Sequence, residues 1–305
     1  DIGSNDGTLL RFFQESGYRV LGIDPAQEIA KLATAKGIET LPEFFSVKLA
    51  REIVSRNGKA SVITANNVFA HADDLKGIIQ GVKTLLNHSG TFVFEVSYLV
   101  DVFEKTLFDT IYHEHLSYHS VKPLIRFFKE NGMELINVER VDTHGGSLRG
   151  FAQLNNGPKS VDKSVERLLK LEKDLKLNHS ETFKGFESKI NAIKADLTQT
   201  LIDLKAQGKK IAGFGAPAKA TTLMYQFGLG RDLIDFIVDD SPLKQGLFTP
   251  GLHVPVLPST AIQEKAPDYL LILAWNFANP IMQKNSSFQN SGGKFIIPLP
   301  MVEVI

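Results

Sequence analysis

Three of the chain's eight histidines fall within seven residues, in the stretch FDTIYHEHLSYHS from Phe108 to Ser120, beside Tyr112, Glu114 and Tyr118. Such a cluster points to a metal or to proton chemistry. A shared metal suits the spacing poorly, because His113 and His115 point to opposite sides of an extended chain and to different faces of a helix, so no metal site is expected. Proton chemistry suits it better. An imidazole titrates near neutrality and can take up a proton there. A neighbouring carboxylate orients the ring and stabilises its charged form, and a phenol can donate to a developing oxyanion. A solvated loop with idle histidines has the same spacing, and the cluster alone does not separate the two readings.

A second candidate site opens the chain. DIGSNDG is a glycine turn of the kind that joins a strand to a helix, where backbone N–H groups are free to meet a ligand. It resembles G-x-G-x-x-G only loosely, since Asn5 stands where a dinucleotide fold has its second glycine. Asp1 and Asp6 sit poorly beside a diphosphate and suit an ammonium group. Asp24 ends the next apolar run, about 20 residues on, where an acidic residue accepts from ribose hydroxyls. A ligand with a ribose, a positive charge and no phosphate is S-adenosylmethionine (SAM).

A third candidate is IAGFGAPAKATT, with Gly213 and Gly215 ahead of a helix that carries Lys219. No acid lies in this turn, so a phosphate is favoured at the helix start, with charge from Lys219 and from Lys244 in the loop VDDSPLKQG. Arg149, after the turn HGGSLR, reaches a phosphate or a surface carboxylate. An NAD site shares the strand–glycine–helix signal, but Pro217 stands in the stretch where a third glycine belongs.

The elements that must position these groups alternate. YRVLGID, SVITANN and TFVFEVSYL read as strands, and PAQEIAKLATAKG and DLKGIIQGVKTLLNHSG as helices, the second stopping at Gly90. This rhythm implies a parallel sheet covered by helices on both faces. VKPLIRFFKENGM reads as a helix, and ELINVERVD and SLRGFAQL as an antiparallel pair at the sheet edge. Charged segments periodic at helical spacing follow, and from Lys209 a second strand–helix rhythm starts. The expected fold is α/β, with a Rossmann-like domain over residues 1–154, a helical connector over 155–208 and a smaller Rossmann-like domain over 209–305.

DIGSNDGTLL with GIDP resembles motif I and the acidic motif of class I methyltransferases. More specifically, the chain resembles the nucleotide-sugar C-methyltransferases of deoxysugar pathways, through ANNVFAH, FEVSYL, FDTIYHEHLSYHS, THGGSLR, GFGAPAKATTLM, VDDSPLKQGLFTPG and LILAWNF in that order. The resemblance implies SAM-dependent methylation of a carbon next to the ketone of a nucleotide-diphospho-sugar. It implies His115 as base, with Tyr112 and Glu114 beside it and His71 as a further site residue. It places Gly3, Ser4, Asn5 and Asp6 along the methionine part of the cofactor, Asp24 at the ribose, Phe44 and Phe45 at the adenine, and Asn66 or Asn67 near the methionine end. It gives Gly215, Lys219, Lys244 and Arg149 to the sugar nucleotide. Family members carry a small cysteine-built zinc domain ahead of the methyltransferase core. This chain has no cysteine and opens without Met or a lead-in strand, so it reads as a fragment lacking that domain and its zinc. Transfer to oxygen or nitrogen, an NAD-linked oxidoreductase and an inactive binding fragment are the competing classes.

Thirty-four basic residues balance thirty-four acidic ones. With no net charge, no long apolar run and no signal peptide, the chain is expected to be cytoplasmic, with no nucleic-acid or membrane partner and no obligate protein partner evident.

Overall fold

Residues Asp1–Gly3 lie in the middle of a sheet, although they are too few to count as a strand. Ile2 bridges Ile23 in parallel. Its N–H donates to the Thr64 carbonyl at 2.8 Å, while the Ile23 N–H donates to the Asp1 carbonyl at 2.9 Å. The computed structural model describes residues 1–305. Its contacts fall into two units, one of Asp1–Val100 with Glu114–Leu177, the other of Asp101–His113 with Asn178–Ile305.

In the first unit α1 (Thr8–Glu15) follows the glycine turn, then β1 (Gly22–Ile23), α2 (Gln27–Ala35), β2 (Thr40–Leu41), α3 (Val47–Asn57), β3 (Ala60–Asn66), α4 (Leu75–Leu85) and β4 (Leu86–Ser97). Helix α5 (Leu99–Glu104) leads out, and the unit resumes with α6 (Val121–Glu130), β5 (Met133–Val141), β6 (Ser147–Leu154) and α7 (Lys163–Asp174). β1 pairs with β2 and β3 with β4 in parallel, whereas β6 is antiparallel to both β4 and β5. Through Ile2 the strands line up as β2, β1, residues 1–3, β3, β4, β6 and β5. This is the α/β sheet expected of the first domain, with the antiparallel pair at its edge.

Phe69, Phe92, Phe94 and Phe128 are fully buried and lie ring to ring, Phe69 5.5 Å from Phe94 and Phe94 5.3 Å from Phe128. Burying each such ring contributes about 2–3 kcal/mol. The helix expected to run to Gly90 ends at Leu85, where its apolar stripe ends. Asn87, His88 and Ser89 compete poorly as helix formers. Asn87 instead donates to the Ser61 hydroxyl at 3.1 Å. The strand register then jumps from Ala60 opposite Leu86 to Val62 opposite Thr91, so residues 87–90 bulge out.

The stretch expected as one connector divides at Leu177. Helix α7 puts Val165 and Leu168 into the first core. Its buried Glu172 accepts from the Tyr98 hydroxyl at 3.0 Å and from the N–H groups of Val121 and Lys122, capping α6 from a distant segment. Helix α8 (Ser180–Ala206) belongs to the second unit.

That second unit contains β7 (Ile211–Phe214), α9 (Ala218–Phe227), β8 (Phe236–Val238), β9 (Val256–Leu257), β10 (Tyr269–Ile272), β11 (Lys294–Ile297) and β12 (Glu303–Val304). The order is β12-β11-β10-β7-β8-β9, parallel except for β12. It is a second Rossmann-like sheet, with its direction of winding reversing between β7 and β10, where such sheets bind ligands. No helix of the chain is long and apolar enough to cross a membrane.

Candidate functional site

The opening turn is held by its own side chains. Gly3 has φ +72°, and a Cβ there would stand 2.5 Å from Cγ2 of Val68. Glycine is therefore required by the left-handed backbone and by Val68, a packing reason that the sequence pattern does not reveal. Asn5 is also left-handed, at φ 49°. Its N–H donates to Oδ2 of Asp24 at 2.8 Å, while Oδ1 of Asp24 accepts from Ala26 N–H at 2.9 Å. Asp24 thus ties the glycine turn to the end of β1 and keeps a second lone pair on each oxygen.

The other two acids of the turn are engaged locally. Asp1 accepts from the Thr64 hydroxyl at 2.6 Å. Asp6 accepts from the Thr8 hydroxyl at 2.7 Å and from its N–H at 3.1 Å, at the start of α1. Those Thr8 bonds hold the Asp6 carboxyl below the usual range, so it stays ionised. Ser4 is 4% exposed, and its Oγ has no hydrogen-bond partner.

The two phenylalanines part company. Phe45 packs on the core, its ring edge where a Cβ on Gly81 of α4 would stand, whereas Phe44 is 79% exposed. Asn66 closes β3 half-buried, and Asn67, left-handed at φ 55°, donates its N–H to the Glu95 carbonyl at 2.8 Å.

Beyond Asn67, Phe69 drives into the aromatic core and leaves His71 at the surface end of the turn. The segment from Glu114 onward docks on this turn, with the N–H groups of Leu116 and Ser117 both donating to the Ala70 carbonyl at 2.8 and 3.3 Å. The rings of His71 and His115 meet edge to face with centroids 4.9 Å apart, and Tyr118 lies 6.3 Å from His115. Partial burial, then the neighbouring imidazole of His115, push the His71 pKa down, against Glu114, whose carbonyl also bonds the ring. His71 is therefore a neutral imidazole at pH 7. Tyr112 and His113 belong to the second unit, and their rings lie 6.0 Å apart.

His119, the third member of the cluster, is a core residue. It is 7% exposed and bonded to the Phe69 carbonyl, and burial pushes its pKa down to about 4. Between pH 4 and 6.5 the unfolded chain binds a proton there that the folded chain does not, so stability rises with pH across that window. The shift corresponds to about 3 kcal/mol, present above pH 6.5 and lost as pH falls towards 4. Denaturant titrations at pH 7 and pH 4.5 should show a shallower loss for His119→Gln than for the parent chain; parallel profiles would refute this.

Arg149, expected at a phosphate or a surface carboxylate, faces Glu95 directly across β4 and β6. It donates to that buried carboxylate from Nε at 3.1 Å and Nη2 at 2.8 Å, and Thr143 donates to the other oxygen. The signal for Glu95 in the sequence is its place as the lone charge in the apolar run TFVFEVSYL.

In the second unit Gly215 has φ +88°, and a Cβ there would lie 2.7 Å from that of Ala274. Asp239, at the end of β8, accepts from Ala216 N–H at 2.7 Å and from Ser241 N–H at 2.9 Å. This repeats the pattern of Asp24, one bond to the glycine turn and one to the N–H two residues on. Burial works to raise the Asp239 pKa, but those N–H groups and Lys244, 3.3 Å away, outweigh it and hold it below the usual range. Lys219, on the first turn of α9, lies 3.5 Å from Oδ2 of the buried Asp109 and 4.6 Å above the Trp275 ring. No group of three or more His, Asp or Glu side chains comes together that could hold a metal ion.

The comparison with known proteins covers the whole chain. Residues 142–300 match the C-methyltransferase C-terminal domain and residues 1–138 a methyltransferase domain. The C-methyltransferase NovU of Streptomyces niveus is 36% identical over 305 residues, which is all of this chain and 73% of that protein. The chain belongs to the C-methyltransferase family. Among solved structures, a SAM-dependent methyltransferase from Anabaena variabilis matches 50% of this chain and 75% of its own at 20% identity and a TM-score of 0.40. The magnesium protoporphyrin IX methyltransferase of Synechocystis, with SAH bound, matches 50% of this chain and 72% of its own at 14% identity and a TM-score of 0.39.

As a SAM-dependent C-methyltransferase the protein matches the enzyme class read from its motifs. The structure brings Gly3, Ser4, Asn5, Asp6 and Asp24 together at one turn, and His71, Glu114 and His115 at another. It gives Arg149 and Lys219 carboxylate partners instead of leaving them open to a phosphate.

Proposed function

We propose that this C-methyltransferase acts on a nucleoside-diphospho keto-deoxysugar, at the carbon next to the ketone, with His115 as the base. The observation that carries the reading is the edge-to-face pair of His71 and His115 beside Glu114. A base that removes a carbon-bound proton has to be aimed, and His71, bonded to the Glu114 carbonyl, supplies a fixed neutral ring against which His115 rests. Tyr112, three residues earlier in the chain, would donate its hydroxyl to the enolate oxygen.

The turn of residues 3–6 fits SAM, which when bound supplies an electrophilic methyl on its sulfonium. The Asp24 carboxylate has acceptor capacity left for ribose hydroxyls after its two backbone bonds. The unpartnered Ser4 oxygen and the half-buried Asn66 and Asn67 offer polar contacts for the amino-acid end. Phe44 is the ring of its pair still open to stack on adenine. In the second unit the reading gives the substrate's nucleotide to Gly215, at its left-handed turn, and to Lys244, which also pairs with Asp239 at 3.3 Å.

Product analysis tests the reading. With SAM and thymidine-diphospho-4-keto-6-deoxyglucose as probe, a new methyl carbon bonded to a ring carbon is expected, seen by NMR as a carbon–carbon coupling from a labelled methyl. A methyl bonded to oxygen would overturn the carbon assignment.

A further inference from the structure

Lys219 is a poor phosphate ligand as it stands. Its side chain is 15% exposed and paired with Asp109, which is fully buried. Trp275 Nε1 donates to the same Asp109 oxygen at 2.7 Å, and the Lys219 ammonium sits over the indole at 4.6 Å. Burial pushes the Asp109 carboxyl up and the Lys219 ammonium down, each partner opposing the other's shift. The second Asp109 oxygen has no hydrogen-bond partner. A buried ion pair with an unsatisfied oxygen adds little to stability, since apolar residues of similar volume generally serve as well. Its use lies in specifying one arrangement.

What it specifies is the seat of the segment that leads to Tyr112. All the contacts lie in the second unit, to which Asp101–His113 belongs. Besides Lys219, helix α9 holds this segment through Thr222, whose hydroxyl donates to the Ile111 carbonyl at 3.2 Å. It also holds it through Phe227, whose ring lies 5.2 Å from that of Phe108. Residues 219, 222 and 227 fall three and eight apart, on one face of the helix. Asp109 is thus one of three successive pins at residues 108, 109 and 111, immediately ahead of Tyr112.

We infer that Lys219, Asp109 and Trp275 are positioning residues, which seat the segment ending at Tyr112 on helix α9. The inference rests on the role proposed above for Tyr112. Misplacing a reacting group by about 1 Å can cost roughly 100-fold in rate without weakening binding.

The test combines kinetics on the keto-sugar probe, emission of Trp275, the chain's single tryptophan, and hydrogen exchange at residues 108–112. Lys219→Met and Asp109→Asn should each lower kcat by roughly 10- to 100-fold. KM for the probe should stay within about threefold. Exchange at 108–112 should quicken, and Trp275 emission should shift to the red. Lys219→Arg should restore kcat. The double variant should regain stability, because no lone charge is then buried, without regaining the lost kcat. Thr222→Val, which strands no charge, should quicken the same exchange with a smaller fall in kcat. A raised KM at unchanged kcat in Lys219→Met would overturn the inference and make Lys219 a phosphate contact. If the parent chain transfers no methyl to the probe, the proposed reaction fails by itself. Unchanged exchange at 108–112 in Lys219→Met would then still sink the positioning role.

Discussion

Replacing His115 with alanine should abolish exchange of the keto-sugar's acidic C–H with deuterated water, and methyl transfer with it, by about 10²–10⁴-fold. The imidazole is half-buried, and its ring rests on His71 at 4.9 Å. The backbone around it is clamped independently, through Leu116 and Ser117 on the Ala70 carbonyl. Truncation therefore removes a ring and leaves the turn in place. The glycine turn proposed for SAM is held by bonds of its own, Asn5 N–H to Asp24 and Thr8 to Asp6, so cofactor affinity should stay within about twofold. Proton removal belongs to the transition state, so kcat and kcat/KM should fall together. Exchange at the parent rate in His115→Ala would take the base role from His115.

The strand and helix alternation was legible because burial imposes its period on the sequence directly. The turn at Asp24 and the antiparallel pair around THGG were legible for the same reason, since each is decided within a few residues. What stayed hidden depends on partners far along the chain. Glu172 looks like one more charge on an amphipathic helix, yet it caps α6 and meets Tyr98, 74 residues away. Nothing local marks Asp109 as the partner of Lys219 and Trp275, the latter 166 residues away. Asp1 and Asp6 read as an anionic lining because their types and spacing are visible, whereas their hydroxyl partners Thr64 and Thr8 decide where those charges point. Of the three histidines in the cluster, burial alone separates His119 from His115, and burial is not written in the spacing.

Asp24→Asn should weaken SAM binding by roughly 10- to 100-fold, since each charge-assisted hydrogen bond lost is worth about 1.5–3 kcal/mol. Asparagine has one acceptor oxygen, but the native carboxylate accepts Asn5 N–H on one oxygen and Ala26 N–H on the other. Whichever way the amide turns, its NH₂ faces a backbone donor, and either the glycine turn or the residues after β1 lose their tie. The charge that would receive the ribose hydroxyls goes at the same time. Because Asp1 and Asp6 are engaged with Thr64 and Thr8, Asp24 is the acid of this turn with the most direct claim on the cofactor, and that claim concerns the ribose. The demethylated product S-adenosylhomocysteine carries the same ribose without the sulfonium charge, so its affinity should drop by the same factor. Calorimetric titration of both ligands decides the point. Equal losses place Asp24 at the ribose, a loss confined to SAM would mean that it reads the positive charge, and unchanged affinity for both would remove it from the cofactor site.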